Sequence, residues 1–220
     1  GNDSLLVSDY AFTNNNGAFS TASLAGGDGD DTLTASGVLQ LTLSGGTGRD
    51  RFVLTALQYK ATQASYNFYT DSNFNSTTVA GKPIEITDFQ AGFGGDILDL
   101  KDLLENAASG FDGSNPFGAS GYLRLIQSLD NSVDSWLQFD VNGGANSFIT
   151  LAVLRNLTAT DLVAENFYPA FSITGEEVAG QLIYGTSDAD TLRGTAGADS
   201  IYGYGGNDTI NGEAGADLID

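Results

Sequence analysis

The 220-residue sequence has no cysteine, no histidine and no methionine, only 3 prolines, and 8 basic residues against 28 acidic ones. Each scarcity excludes something. Without cysteine there is no disulfide framework, so a small extracellular fold needs another staple, and a bound metal is one. Without histidine there is no His-ligated zinc, no H-E-x-x-H helix and no Ser-His-Asp triad. A G-x-S-x-G nucleophile elbow is also missing. The formal charge of −20 argues against nucleic acid, whose phosphates are held by Lys and Arg, and against anionic membrane surfaces. No run of about 18 apolar residues suggests a membrane span, and no signal peptide is recognisable.

What is abundant is glycine, at 29 residues, together with acid. Glycine without proline argues for tight turns rather than a stiff linker. Hydrophobic residues at 41% are enough for a packed core in one large or two small domains. The acidity has two readings, solubility or cation binding, and its placement favours the second. Four nonapeptides run in phase near the C-terminus: GTSDADTLR (185–193), GTAGADSIY (194–202), GYGGNDTIN (203–211) and GEAGADLID (212–220). Position six is always Asp (Asp190, Asp199, Asp208, Asp217), and position eight is always Leu or Ile. Two more units, GGDGDDTLT (26–34) and GGTGRDRFV (45–53), place Asp31 and Asp50 at position six, and a clipped unit containing Asp3 opens the sequence.

This pattern resembles the RTX repeat family, G-G-x-G-x-D-x-U-x, a calcium-binding parallel β-helix. The resemblance implies a coil of two nonapeptides per turn, each giving a six-residue loop and a short strand. Calcium takes six to eight oxygens, carboxylate and carbonyl alike. The implied ligands are Asp31, Asp50, Asp190, Asp199, Asp208 and Asp217, with Asp3 and Asp28. Backbone carbonyls of Gly27, Gly29, Gly46, Gly48, Gly185, Gly194, Gly203, Gly205 and Gly212 would complete the set. Loops on one side lie 18 residues apart, which pairs Asp190 with Asp208 and Asp199 with Asp217. Asp31 and Asp50 are 19 apart, one turn with one inserted residue, and the half-turn at 35–43 has no Asp. One or two apolar residues per nonapeptide bury little surface, and stacked carboxylates repel. The repeats are therefore expected to be loose without calcium and to order when it binds, at roughly 10⁻⁴–10⁻³ M as in other extracellular modules.

Residues 54–174 carry no nonapeptide and are expected to form a β-rich non-repeat domain between two roll segments, 1–53 and 175–220. Alternation predicts strands over 84–89, 96–100, 121–126, 135–141 and 148–151, a short helix over 101–108, and a hairpin at Asn142-Gly143-Gly144. Thr160 and Asp161 offer a further helix start. The order I-x-D-F, then G-x-G-G-D-x-L-D-L, is similar to the segment following the repeats in type I secretion substrates and in serralysin-like proteases. That likeness makes Asp88, Asp96 and Asp99 additional candidate ligands, against the plainer reading that they cap turns and strand ends. Asp140-Val141-Asn142-Gly143-Gly144 starts like an EF-hand loop, but position twelve is Leu151 rather than Glu. The aromatic, polar stretch of Tyr59, Tyr66, Phe68, Tyr69 and Phe74 suits a sheet-edge cover or self-association better than a sugar grip.

The fold class expected is mostly all-β: a parallel β-roll of calcium-binding repeats flanking a β-rich region with one or two short helices. The sequence opens and stops inside a repeat, so a piece of a larger secreted protein is expected. The leading functional reading is a non-enzymatic, calcium-dependent extracellular structural module, with self-assembly as adhesin, surface layer or fibre as one use. The competing reading is the non-catalytic calcium-binding module of a secreted protease, lipase or alginate epimerase.

Overall fold

Alternating apolar residues make strands that bury every second side chain, and in this chain those strands coil. The computed structural model describes residues 1–8, 21–37, 40–63, 65–69, 76–80, 82–128, 133–175, 179–195, 197–213 and 215–220. In chain order the elements begin with β1 (Ser4–Ser8), β2 (Thr21–Asp28), β3 (Thr32–Ser36), β4 (Gln40–Thr47) and β5 (Arg51–Leu54). Next come α1 (Ala56–Gln63), β6 (Ser65–Tyr69), β7 (Ser76–Ala80), β8 (Ile84–Ile86), β9 (Ile97–Asp99) and α2 (Lys101–Asn106). β10 (Leu123–Gln127), β11 (Ser135–Phe139), β12 (Ile149–Leu154) and β13 (Phe167–Tyr168) follow. The last five are β14 (Leu182–Tyr184), β15 (Thr191–Arg193), β16 (Ser200–Tyr202), β17 (Thr209–Asn211) and β18 (Leu218–Ile219).

Two large sheets form the first roll. One runs β1-β3-β5-β9-β13 and the other β10-β11-β12-β8-β4-β2. The chain alternates between them, so β2/β3, β4/β5, β8/β9 and β12/β13 are successive turns of one parallel coil. The stretch expected as a separate domain from residue 54 onward thus supplies turns to the same sheets as residues 1–53. Its insertions hang between turns. α1 and the antiparallel β6–β7 hairpin separate β5 from β8, while α2, β10 and β11 separate β9 from β12. Sequence pattern conceals this continuity because the β8–β9 loop, although it carries Gly92, Gly94, Gly95 and Asp96, is not a nonapeptide, and the β12–β13 connection has no glycine at all.

The core sits between the sheets. Leu33, Leu43, Phe52, Leu54, Ile84, Ile86, Leu98 and Leu154 are fully buried. Both helices cover it, through Leu103 and Leu104 of α2 and through Tyr59 of α1, whose ring meets Phe139 edge-on at 4.9 Å. Tyr59 is therefore a core residue, while the side chains of Tyr66, Phe68 and Tyr69, and the whole of Phe74, lie outside the described residues. The segment after β12 forms two 3-10 turns, Ala159–Asp161 and Ala164–Asn166, rather than a full helix.

Apart from β14, which precedes the first unit, the second roll is built from the nonapeptides of 185–220. Its strands pair in parallel at an 18-residue spacing, β14-β16-β18 on one side and β15-β17 on the other. Its interior is thin. Ile201 is fully buried, Ile183, Leu192 and Ile210 are partly so, and Ile219 is 52% exposed.

Candidate metal centre

Each position-six Asp stands just before a strand, where the glycine loop ends. Stacking the turns places these residues in columns, and a hydrogen-bond ladder joins them. In the first roll the N–H of Asp3 donates to Asp31 Oδ1 (2.6 Å), that of Asp31 to Asp50 Oδ1 (2.9 Å), and that of Asp50 to Asp96 Oδ1 (2.8 Å). The second roll has two columns. On one, Gln181 N–H donates to Asp199 Oδ1 and Asp199 N–H to Asp217 Oδ1 (2.9 Å); on the other, Asp190 N–H donates to Asp208 Oδ1 (3.0 Å). The structure thus brings together the pairs the spacing implied: 31 with 50, 190 with 208 and 199 with 217.

Glycine at position one is a steric demand of this arrangement. A Cβ added at Gly26, Gly45, Gly185, Gly194, Gly203 or Gly212 would come within 3.0 Å of the Oδ2 of its own loop's Asp. The carbonyls of Gly27 and Gly29 point at Gly46 and Gly48 of the next turn, where any side chain would strike them. Gly203 O and Gly212 O face Gly185 and Gly194 in the same way. Gly27, Gly29, Gly46 and Gly48 all have φ between 102° and 129°, the region open to glycine.

The first roll's loops hold an unbalanced charge. Asp31 and Asp50 are buried, and the Oδ2 of each receives no hydrogen bond. Burial pushes the Asp50 carboxyl up; the Asp31 N–H opposes this, and the negative charges of Asp31, Asp88 and Asp30 add to it. A buried carboxylate oxygen with no donor is costly, and a hard cation is the partner that fits. Among the described residues no three acidic side chains converge on one point, so a coordination shell here would need oxygens besides these carboxylates. Calcium accepts such mixed oxygen donors readily. Asp3 and Asp28 are exposed, and Asp28 Oδ1 accepts the Thr47 hydroxyl (2.9 Å).

The three further candidates have their oxygens occupied by the protein. Asp88 accepts from Ser44 Oγ and from the N–H groups of Gly45 and Gly46. Asp96 takes the Asp50 and Gln90 N–H groups on separate oxygens, and its carboxyl is pushed up to about 6, chiefly by burial. Asp99 accepts Lys101 N–H and pairs with Arg51 at 2.7 Å. Asp140 is likewise saturated, by the N–H groups of Asn142, Asn146 and Ser147 and by Ser147 Oγ. Its loop is a turn joining β11 to β12. Sequence reasoning missed Asn166, whose buried amide donates to Gly92 O and Asp96 O and accepts Gly92 N–H, closing the loop before β9. A lone Asn after an unpatterned stretch carries no signal that would have found it.

Stacked glycine loops, an aspartate ladder and parallel short strands define a parallel β-roll of glycine-aspartate repeats. Residues 23–37 and 184–219 match the family model of the RTX calcium-binding nonapeptide repeat, in four copies, so the chain carries RTX repeats. That repeat family binds calcium and is generally non-catalytic. No curated protein sequence matches the chain. Among solved structures, the AlgE6R3 subunit of the Azotobacter vinelandii mannuronan C5-epimerase is similar over 74% of this chain and 77% of its own length, at 20% identity and a TM-score of 0.33.

Proposed function

We propose that the chain is a calcium-dependent structural module of a secreted RTX protein, ordered by calcium outside the cell. The observation that carries this reading is the pair of buried, undonated Oδ2 atoms on Asp31 and Asp50. Asp31, Asp50, Asp190, Asp199, Asp208 and Asp217 would supply the charge, and the glycine carbonyls of neighbouring turns the remaining oxygens. Calcium, when bound, supplies positive charge between turns that otherwise stack like charges. The ladder of N–H···Oδ1 bonds holds each carboxylate in place, and the position-one glycines leave room for it. RTX repeats are typical of secreted proteins, and no helix among the described residues is long and apolar enough to cross a membrane. Low cytosolic calcium would keep the repeats loose, and millimolar external calcium would order them.

A calcium titration followed by far-UV circular dichroism and limited proteolysis tests this. Calcium should raise the β signal and protect residues 182–219 from cleavage, and chelation should reverse both. A chain that shows no change up to about 10 mM calcium, an order above the usual range for extracellular modules, defeats the proposal.

A further inference from the structure

The six loops with Asp at position six fall into two states, and the residue at position two divides them. Gly27 and Gly46 have φ of 108° and 102°; Tyr204 and Glu213 hold the same left-handed region at 66° and 65°. None of these four donates its N–H to the Asp of its own loop, and Asp31 and Asp50 keep Oδ2 free. Thr186 and Thr195 lie outside the left-handed region. Each donates its N–H to the Oδ2 of its own Asp, at 2.6 Å to Asp190 and 2.6 Å to Asp199. Their hydroxyls add further bonds, 2.9 Å to Asp190 Oδ2, and 3.1 and 3.3 Å to the two oxygens of Asp199. The oxygen left undonated in the first roll is therefore closed off in these two loops.

We propose that Thr186 and Thr195 are latches that hold Asp190 and Asp199 in a cation-free state and set the calcium threshold of the second roll. The inference rests on the calcium reading above. To free Oδ2, position two must turn its N–H away, as Gly27, Gly46, Tyr204 and Glu213 already do. A β-branched residue resists that left-handed backbone, whereas glycine enters it freely and asparagine with little penalty. Both columns contain one latched and one unlatched Asp, 190 with 208 and 199 with 217. Each prospective site between turns would therefore be opened by releasing one threonine.

The test uses the whole 220-residue chain, wild type against the double variants Thr186→Gly/Thr195→Gly and Thr186→Asn/Thr195→Asn. Calcium is titrated while amide hydrogen exchange is read over residues 182–219. Both variants should bring the midpoint for this segment down about tenfold, the scale of a relieved left-handed penalty and released hydrogen bonds. The calcium response of residues 26–54 should stay where it was. Generic loosening by glycine works in the opposite direction, so a lower midpoint is not a side effect of flexibility. If the glycine variant fails to order at any calcium level, the asparagine variant decides. A wild-type midpoint retained or raised in the asparagine variant overturns the latch while leaving the calcium reading intact. A wild-type chain with no calcium response removes both.

Discussion

The two rolls share one loop grammar and differ in what surrounds it. The first is walled by α1, α2 and the β10–β11 pair, and its turns close over fully buried Leu33, Leu43, Phe52, Ile86 and Leu98. Its repeat carboxylates are buried with oxygens to spare. The second has narrow sheets, Ile201 as the single fully buried large apolar side chain among the described residues, and exposed Leu182, Tyr184, Tyr204, Leu218 and Ile219. There burial raises the Asp199 carboxyl, but the Thr195 and Gln181 N–H groups and the Thr195 hydroxyl outweigh it and hold the group below the usual range. Asp50 moves the opposite way. The same Asp at the same repeat position thus experiences opposite electrostatics, because its donors come from the tertiary setting. The first roll buries a carboxylate pair whose Oδ2 atoms have no protein donor, whereas the second, with its thin core, closes Asp190 and Asp199 with donors from their own loops.

The comparison breaks first at the core. Phe139→Ala removes a fully buried ring packed on Tyr59 and should cost about 3–5 kcal/mol, read by urea unfolding in saturating calcium. The calcium midpoint of residues 182–219 should not follow; if it moves in parallel, the rolls form one cooperative unit and the contrast drawn here fails.

A smaller effect is expected at the turn before β12. Burial raises the Asp140 carboxyl, yet the N–H groups of Ser147, Asn146 and Asn142 and the Ser147 hydroxyl together hold it below the usual range. A carboxylate with a lowered folded-state pKa stabilises above its ordinary titration range, and that contribution is lost as pH falls through the folded value. Asp140→Asn should cost about 1–3 kcal/mol near neutrality and flatten the acid limb of the Tm–pH curve. Since both Asp140 oxygens are already filled by protein donors, added calcium should not rescue the loss.

The smallest effect concerns the seam between the rolls, where Arg49 stands 3.9 Å from Glu213, Glu213 binds Arg193, and Arg193 lies over Phe93. Arg49→Ala should change stability by about 0.2–1 kcal/mol, the range of a surface pair, and should be masked by salt. A larger shift in thermal unfolding would mean that the rolls are coupled more tightly than these few side chains suggest.

Legibility followed the chemistry. Loops were readable because glycine and aspartate at fixed positions have few other uses: the column pairs, the 18-residue strand spacing and helix α2 appear where pattern placed them or within a few residues. The continuation of the first roll through β8, β9, β12 and β13 was not readable, since buried strands such as Ile84–Ile86 show only alternation and fit any sheet. Helix α1 was missed because Ala56–Gln63 lacks a strong apolar stripe, and tertiary packing of Ala56 and Tyr59 on the roll decides it.

By itself, then, the sequence determined the repeat, its carboxylate columns and the class of cation they suit, since those depend on spacing along a regular coil. Only the tertiary structure decided which carboxylates are left without donors. That depends on which N–H or hydroxyl stands within about 3 Å of each oxygen, and here the Thr186 and Thr195 N–H groups reach the Oδ2 of Asp190 and Asp199 while no such donor reaches Asp31 or Asp50 Oδ2.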